Sequence, residues 1–290
     1  MDWKTTLAAY QETIEAALKQ YAAQWPEHGE IRNAMAYSLL SGGKRIRPVL
    51  TLAVCRLFGG DERKALPLAC GLEMVHTYSL IHDDLPCMDD DDLRRGKPTN
   101  HQVYGEAMAV LAGDALLTAA FETLASADLP AGDAVRAVSC LSKAAGPAGM
   151  VGGQVLDLLG EGKRLSYGEI ETIQRLKTGC MIEAAARLGA IAAGSSEAQE
   201  KAAAAYARNL GLAFQIRDDL LDLLGDEATF GKPIGSDAAN EKSTFVSLLG
   251  VEACQRKVEE LTRAAVDCLL PYEGREFLCA LAQTLAVREK

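Results

Sequence analysis

Apolar residues recur along the chain at steps of three and four. Leu7, Tyr10, Ile14, Leu18 and Tyr21 form one such stripe, the spacing that places side chains on a single face of an α-helix. Trp25, Pro26 and Gly29 end it. The same period predicts helices over residues 30–40, 47–58, 65–83, 101–127, 132–145, 148–159, 167–193, 197–224, 243–269 and 272–287. Breaks fall at Gly42-Gly43, Gly59-Gly60, Pro86, Pro130, Gly146-Pro147, Gly194 and Pro271, residues that interrupt or end helices. No run alternates apolar and polar residues between turn signals, so no strand is predicted. The expected fold class is all-α.

Two connections, residues 85–100 and 225–242, are long and charged. Loops of that kind inside a helical domain are more often functional than idle. The first follows Asp83-Asp84-Leu85-Pro86-Cys87-Met88-Asp89-Asp90-Asp91-Asp92. Its aspartates repel one another, and Asp83 and Asp84 also oppose the negative end of the helix that Pro86 stops. A divalent cation would turn that repulsion into ligation. The second cluster is Asp218-Asp219-Leu220-Leu221-Asp222. Asp218 and Asp222, four apart, project from one helix face, and Gln215 lies a turn earlier. All the donors are oxygens, which suits magnesium better than zinc or copper.

Composition sharpens the picture. The chain has 290 residues, 49% of them hydrophobic and 6% aromatic, with a formal charge of −10. Such an acidic chain repels nucleic acid and anionic lipid, so neither is an expected partner. Eight cysteines occur with no CxxC pair, as expected of reduced thiols in a cytoplasmic protein. The longest stretch lacking Asp, Glu, Lys and Arg is 13 residues, Ala144 to Leu156, broken by Pro147 and four glycines. A membrane span takes about 20 residues, so stable membrane insertion is not expected. The N-terminal region, with Asp2, Glu12 and Glu15, reads as neither a signal peptide nor a transit peptide.

Against that acidic background, basic residues gather beside the motifs. Gly42-Gly43-Lys44-Arg45-Ile46-Arg47-Pro48 puts three cations before an apolar helix, and Arg94-Arg95-Gly96-Lys97 follows the first acidic cluster. Lys177-Thr178 lies mid-helix, and Lys232 and Lys242 bracket the later loop. Cationic side chains and helix-start amides bind phosphate. The combination predicts a small-molecule substrate carrying diphosphate groups, met by metal ions and by basic side chains.

These segments, with Phe214-Gln215-x-x-Asp218-Asp219-x-x-Asp222, Gly152-Gly153-Gln154 with Asp157, and Gly231-Lys232 with Asp237 and Lys242-Ser243-Thr244, resemble the signature regions of the trans-isoprenyl diphosphate synthases, the bacterial farnesyl diphosphate synthases above all. The likeness runs in order from about residue 30 to residue 250. It implies one polyprenyl synthase domain over residues 1–290, a large bundle of helices around a central cavity, and a homodimer. It also implies that Lys44, Arg47, His76 and Arg95 hold the diphosphate of isopentenyl diphosphate. Asp83, Asp84, Asp89, Asp218, Asp219 and Asp222 would supply or support ligands for three magnesium ions, which manganese can replace. Arg94, Lys177, Thr178, Gln215, Lys232 and Lys242 would contact the allylic diphosphate.

By the same resemblance the reaction is prenyl transfer, in which ionisation of the allylic diphosphate gives a cation that the isopentenyl double bond attacks. Asp83, Asp84, Asp89, Arg94, Lys177 and Asp218 are the residues expected to carry it. No Ser-His-Asp or Cys-His nucleophile is evident. Tyr78 lies five residues before Asp83, about 7.5 Å back along the helix, and Ser79 is one turn before it. Within the family an aromatic residue there, with a four-residue spacer from Asp84 to Asp89, goes with a C15 product, farnesyl diphosphate. Geranylgeranyl or geranyl diphosphate synthesis remains open, as does a non-catalytic subunit of a heteromeric synthase. Terpene cyclases share the fold, but a different metal motif would be expected in their second half.

Overall fold

The computed structural model describes residues 2–224 and 243–288. The chain divides into two compact units, residues 1–138 with 191–194 and residues 139–190 with 195–290.

The first unit contains α1 (Trp3–Gln24), α2 (Ile31–Leu39), α3 (Ile46–Leu57), α4 (Glu62–Asp83), a ribbon of β1 (Leu93–Arg94) and β2 (Lys97–Pro98), α5 (Asn100–Tyr104) and α6 (Glu106–Ala125). The division falls within α7 (Ala131–Ala145). Helix α4 is the core element. Leu68, Leu72, Met74, Val75, Tyr78 and Ile81 are all buried, so the helix is covered on every side, as an all-round apolar helix must be. Asp61 caps its start by accepting from the Arg63 amide at 2.9 Å, which satisfies a donor that the first turn leaves open. Helix α6 packs closely on α4. A Cβ at Gly71 would lie 2.8 Å from the Ala120 carbonyl oxygen, and one at Gly113 would lie 2.1 Å from His82 Nε2. By length and composition α6 could cross a membrane. It nevertheless carries Asp114 and Glu122 and buries Ala109, Ala112, Leu116, Ala120 and Leu124 in the protein core.

The second unit is built on α8 (Met150–Gly160), α9 (Tyr167–Gln174), a π-turn (Arg175–Gly179), α10 (Cys180–Ala192), α11 (Glu197–Leu224), α12 (Phe245–Leu249), α13 (Val251–Cys268) and α14 (Glu276–Val287). Ile216 and Leu220 of α11 meet Ile170, Phe245, Val246, Cys254, Val258 and Leu261 in one apolar cluster. The fully buried Tyr206 donates to the Leu278 carbonyl at 2.8 Å and so ties α14 to α11. Ser166 and Glu169 form a reciprocal capping box at the start of α9, as the pattern Ser-x-x-Glu favours.

The all-α expectation holds, with local differences that have identifiable causes. The predicted helices 101–127 and 243–269 are each broken once, at Gly105 (φ 83°) and Gly250 (φ 78°), a left-handed backbone that glycine adopts without strain. The predicted helix 167–193 is interrupted by the π-turn, and the last helix begins at Glu276 instead of residue 272. The short ribbon was not predicted. Its turn places Arg95 (φ 55°) and Gly96 (φ 75°) both left-handed, which matches the twist of a two-residue hairpin. None of the eight cysteines, all of them among the described residues, is in a disulfide. Burial pushes the Cys55, Cys70 and Cys140 thiols up to about 12, which leaves them unreactive.

Candidate active site

In the first unit the acidic motif begins where α4 ends. Asp83 is the last helical residue and Asp84 the C-cap. The loop folds back at once, with the Asp89 amide donating to the Asp83 carbonyl at 2.9 Å and the Met88 amide to that of Leu85 at 2.8 Å. Pro86 thus stops the helix as expected. Asp84 is buried and gripped by Arg94, whose Nε donates to both carboxylate oxygens at 2.6 and 2.9 Å. Arg94 also reaches Asp91 at 3.2 Å. Without Arg94 a buried carboxylate would lose its counter-ion, a loss worth about 3–5 kcal/mol.

Two residues before Tyr78 on α4, His76 faces a set of guanidinium groups. Its Nε2 lies 3.3 Å from Arg47 Nη1. Burial, followed by the charges of Arg47, Arg95, Arg94 and Arg45, holds the imidazole well below its ordinary pKa, so the ring is neutral at pH 7 and can accept from Arg47. Arg95 lies at the ribbon tip. It donates to the Gly42 carbonyl and, at 3.4 Å, to Ser41 Oγ. Its guanidinium rests on the bare Cα of Gly43, where a Cβ would lie 2.8 Å from Arg95 Cζ. Lys44 is exposed beside it. Arg47, His76, Arg94 and Arg95 are therefore gathered in one basic cluster.

One expectation needs correction. Arg45, grouped in the sequence with the phosphate-facing cations, is buried and turned inward. It forms ion pairs with Glu15 and Glu73, each at 2.7 Å. Further along α4, Tyr78 is 7% exposed and meets the His82 ring edge-on at 5.7 Å between centroids. The Ser79 hydroxyl donates to the His76 carbonyl at 2.9 Å.

In the second unit Lys177 and Thr178 lie within the π-turn, and Lys177 Nζ donates to Asp157 Oδ2 at 2.6 Å. Such single-turn insertions re-aim side chains and often occur at functional sites. Gly153 makes the arrangement possible, because its bare Cα lies against the backbone of Leu176 and Lys177.

On α11, the Gln215 amide donates to Gln174 Oε1 at 2.7 Å. Asp218 is ion-paired with Arg288, whose guanidinium also stacks over the Phe214 ring at 3.8 Å. Arg217 holds the Arg288 carbonyl at 2.6 and 3.0 Å. Asp219 is buried, and its Oδ2 accepts from the Phe245 amide at 2.8 Å, so it anchors α12. Asp222 is half-buried. Lys232 and Lys242 lie outside the described residues.

Sequence reasoning had singled out neither Arg288 nor Gln174. Arg288 follows an apolar helix with no motif around it, and Gln174 is an ordinary polar position on α9. Neither spacing carried a signal.

Among the described residues no three His, Cys, Asp or Glu side chains gather closely enough to hold an ion unaided. The donors nevertheless fit magnesium, since they are carboxylate oxygens. Asp84 and Asp218 already attract cationic groups in Arg94 and Arg288.

Each unit thus sets aspartates of an acidic motif beside arginine side chains, Asp84 with Arg94 and Asp218 with Arg288. Residues 28–267 match the polyprenyl synthetase family, and the chain belongs to that family. It is 50% identical to the farnesyl diphosphate synthase of Geobacillus stearothermophilus over 251 residues, covering 86% of this chain and 84% of that protein. It is 46% identical to large subunit 1 of the chloroplastic heterodimeric geranylgeranyl pyrophosphate synthase of Arabidopsis thaliana, over 99% of this chain and 80% of that protein. The solved apo structure of an FPP/GFPP synthase from Zymomonas mobilis matches with a TM-score of 0.88 at 36% identity, covering 98% of this chain and 99% of that one. The chain is a prenyltransferase of isoprenoid biosynthesis. The names of these relatives divide between products of different length.

Proposed function

We propose that this prenyltransferase condenses isopentenyl diphosphate with dimethylallyl or geranyl diphosphate to give (2E,6E)-farnesyl diphosphate. The observation that carries the reading is on α4. There a neutral His76 ringed by Arg47, Arg94 and Arg95 lies two turns before Asp83, so an anion cradle and an acidic metal motif share one rigid element.

In this reading Lys44, Arg47, His76 and Arg95 hold the isopentenyl diphosphate and so set its double bond against the allylic carbon. Asp83, Asp84, Asp89, Asp218, Asp219 and Asp222 hold or support three magnesium ions. When bound, magnesium supplies Lewis-acid neutralisation of the diphosphate as its C–O bond breaks. Arg94, Lys177, Thr178, Gln215, Lys232 and Lys242 contact the same leaving group. Lys177, oriented by Asp157, stabilises the charge that grows on it. Apolar walls keep water from the cation. The proton lost on forming the new alkene goes to the departing diphosphate, so no protein base is required.

Tyr78 limits the product to C15 by closing the wall along which the chain grows. Its burial on α4 and the relative named a farnesyl diphosphate synthase support this. The working form is a cytoplasmic homodimer with one catalytic domain over residues 1–290, and the exposed Val110 and Leu111 of α6 are compatible with an interface. Incubation of the purified chain with magnesium, isopentenyl diphosphate and either starter, with products separated by carbon number, tests the reading. A C15 product is expected. A C20 or C10 product transfers the chain to geranylgeranyl or geranyl synthesis, and no product places it with non-catalytic subunits.

A further inference from the structure

The backbone of Arg45 is left-handed, at φ 52° and ψ 33°, directly before the first residue of α3. A non-glycine residue held in that region costs free energy and persists where its surroundings enforce it. Here they do. Nε donates to Glu15 of α1, Nη1 to Glu73 of α4 and Nη2 to the Leu39 carbonyl at the end of α2, each at 2.7 Å. One planar fork therefore fastens three helices, a geometry that an ammonium group cannot reproduce. Both carboxylate partners lie on helices, and Arg45 is 3% exposed.

The neighbours of Arg45 are the residues that face the anion. Gln11 of α1 holds the Lys44 carbonyl at 2.9 Å. On the other side Arg47 Nη1 reaches His76 Nε2 at 3.3 Å, and His76 is one turn beyond Glu73 on α4. The same guanidinium thus sets the backbone between Lys44 and Arg47 and ties it to the helix that carries His76. Its charge is also among those that hold His76 neutral.

We propose that Arg45 is the positioning residue of the isopentenyl diphosphate cradle: it touches no substrate, and its anchorage to Glu15 and Glu73 fixes Lys44 and Arg47 against His76. The inference rests on the reading that Lys44, Arg47 and His76 hold that diphosphate. A purely structural Arg45 would alter stability alone, or both substrates together.

The test compares Arg45→Met, Arg45→Lys and Glu73→Gln with Lys44→Ala and Arg47→Gln in the magnesium-loaded enzyme. Melting temperature, kcat and the KM of each substrate are measured well below the lowest melting point. Arg45→Met is expected to raise the KM for isopentenyl diphosphate by about tenfold to a hundredfold, the scale of a misplaced binding group, while kcat and the allylic KM stay near wild type. Arg45→Lys recovers part of the KM, and Glu73→Gln moves it in the same direction by less. If Arg45→Met does not fold, the same split in the other two variants decides.

An unchanged isopentenyl KM, or both KM values rising together, overturns the positioning role. If instead Lys44→Ala and Arg47→Gln leave that KM untouched, the diphosphate assignment itself fails, and the role of Arg45 fails with it.

Discussion

Gly153→Ala is expected to damage this enzyme out of proportion to one methyl group. The added Cβ would lie 2.2 Å from the Lys177 amide nitrogen and 2.7 Å from Leu176 C and Lys177 Cα, all backbone atoms that cannot rotate away. Ordinary contact between such atoms is about 3.5–4 Å, so α8 and the π-turn must separate by roughly 1 Å. Overpacking of this kind costs about 1–3 kcal/mol, and replacing a helical glycine by alanine returns at most about 1 kcal/mol. At the upper end of that range the net loss is about 2 kcal/mol, which lowers the melting temperature by roughly 3 °C in a protein of this size. The same separation strains the 2.6 Å bond from Lys177 to Asp157, which spans these two elements. A displacement of about 1 Å in a charge-stabilising group costs up to about a hundredfold in rate. Thermal unfolding and steady-state kinetics read the two effects. Gly132→Ala is the control, since nothing lies within 4 Å of its Cβ and it is helical. Wild-type melting and wild-type kcat in Gly153→Ala would refute the close packing of α8 on the π-turn as the support of Lys177.

Three further outcomes are expected. Because burial and the surrounding arginines depress the pKa of His76 below 6.5, the unfolded chain takes up a proton that the folded chain refuses. Stability from this group is then complete above about pH 6.5 and is lost as pH falls toward the folded pKa. His76→Asn should flatten part of the fall in melting temperature between neutral and acid pH, and identical slopes would contradict the assignment. Arg288→Ala removes the cation from Asp218. Metal-free enzyme should then melt lower, with the magnesium-induced rise beginning at lower concentration, whereas an unchanged magnesium midpoint would show that Arg288 does not compete there. Tyr78→Ala should extend products beyond C15 by chromatography, and an unaltered product would end the proposed role of Tyr78 in chain length.

Much of the fold was legible because one-sided burial, as of Tyr10, Ile14 and Leu18 on α1 and of Cys254, Val258, Leu261 and Ala265 on α13, imposes a period that survives in the sequence. Asp83-Asp84 and Asp218-Asp222 stood out because crowded like charges are costly unless something binds them. What was hidden depends on contacts between elements distant in sequence. Nothing local distinguishes Arg45 from Lys44, yet Glu15 and Glu73 draw the first inward. Nor does the period near Lys177 announce a π-turn, which arises where Gly153 admits a second backbone. Gly105 and Gly250 were visible as residues, but their effect on helix continuity depended on a left-handed φ that the apolar pattern overrode. Arg288 lies 70 residues from Asp218, so no spacing rule could link them.

The proposed function requires carboxylate-held magnesium for the loss of diphosphate from an allylic substrate. Its most direct measurement is product formation from isopentenyl and geranyl diphosphates by the purified chain, after chelation and again after magnesium is restored. Chelation is expected to abolish turnover, and added magnesium to restore a C15 product in the wild type but not in Asp83→Ala or Asp218→Ala. Undiminished turnover in chelator, or in either variant, would contradict it.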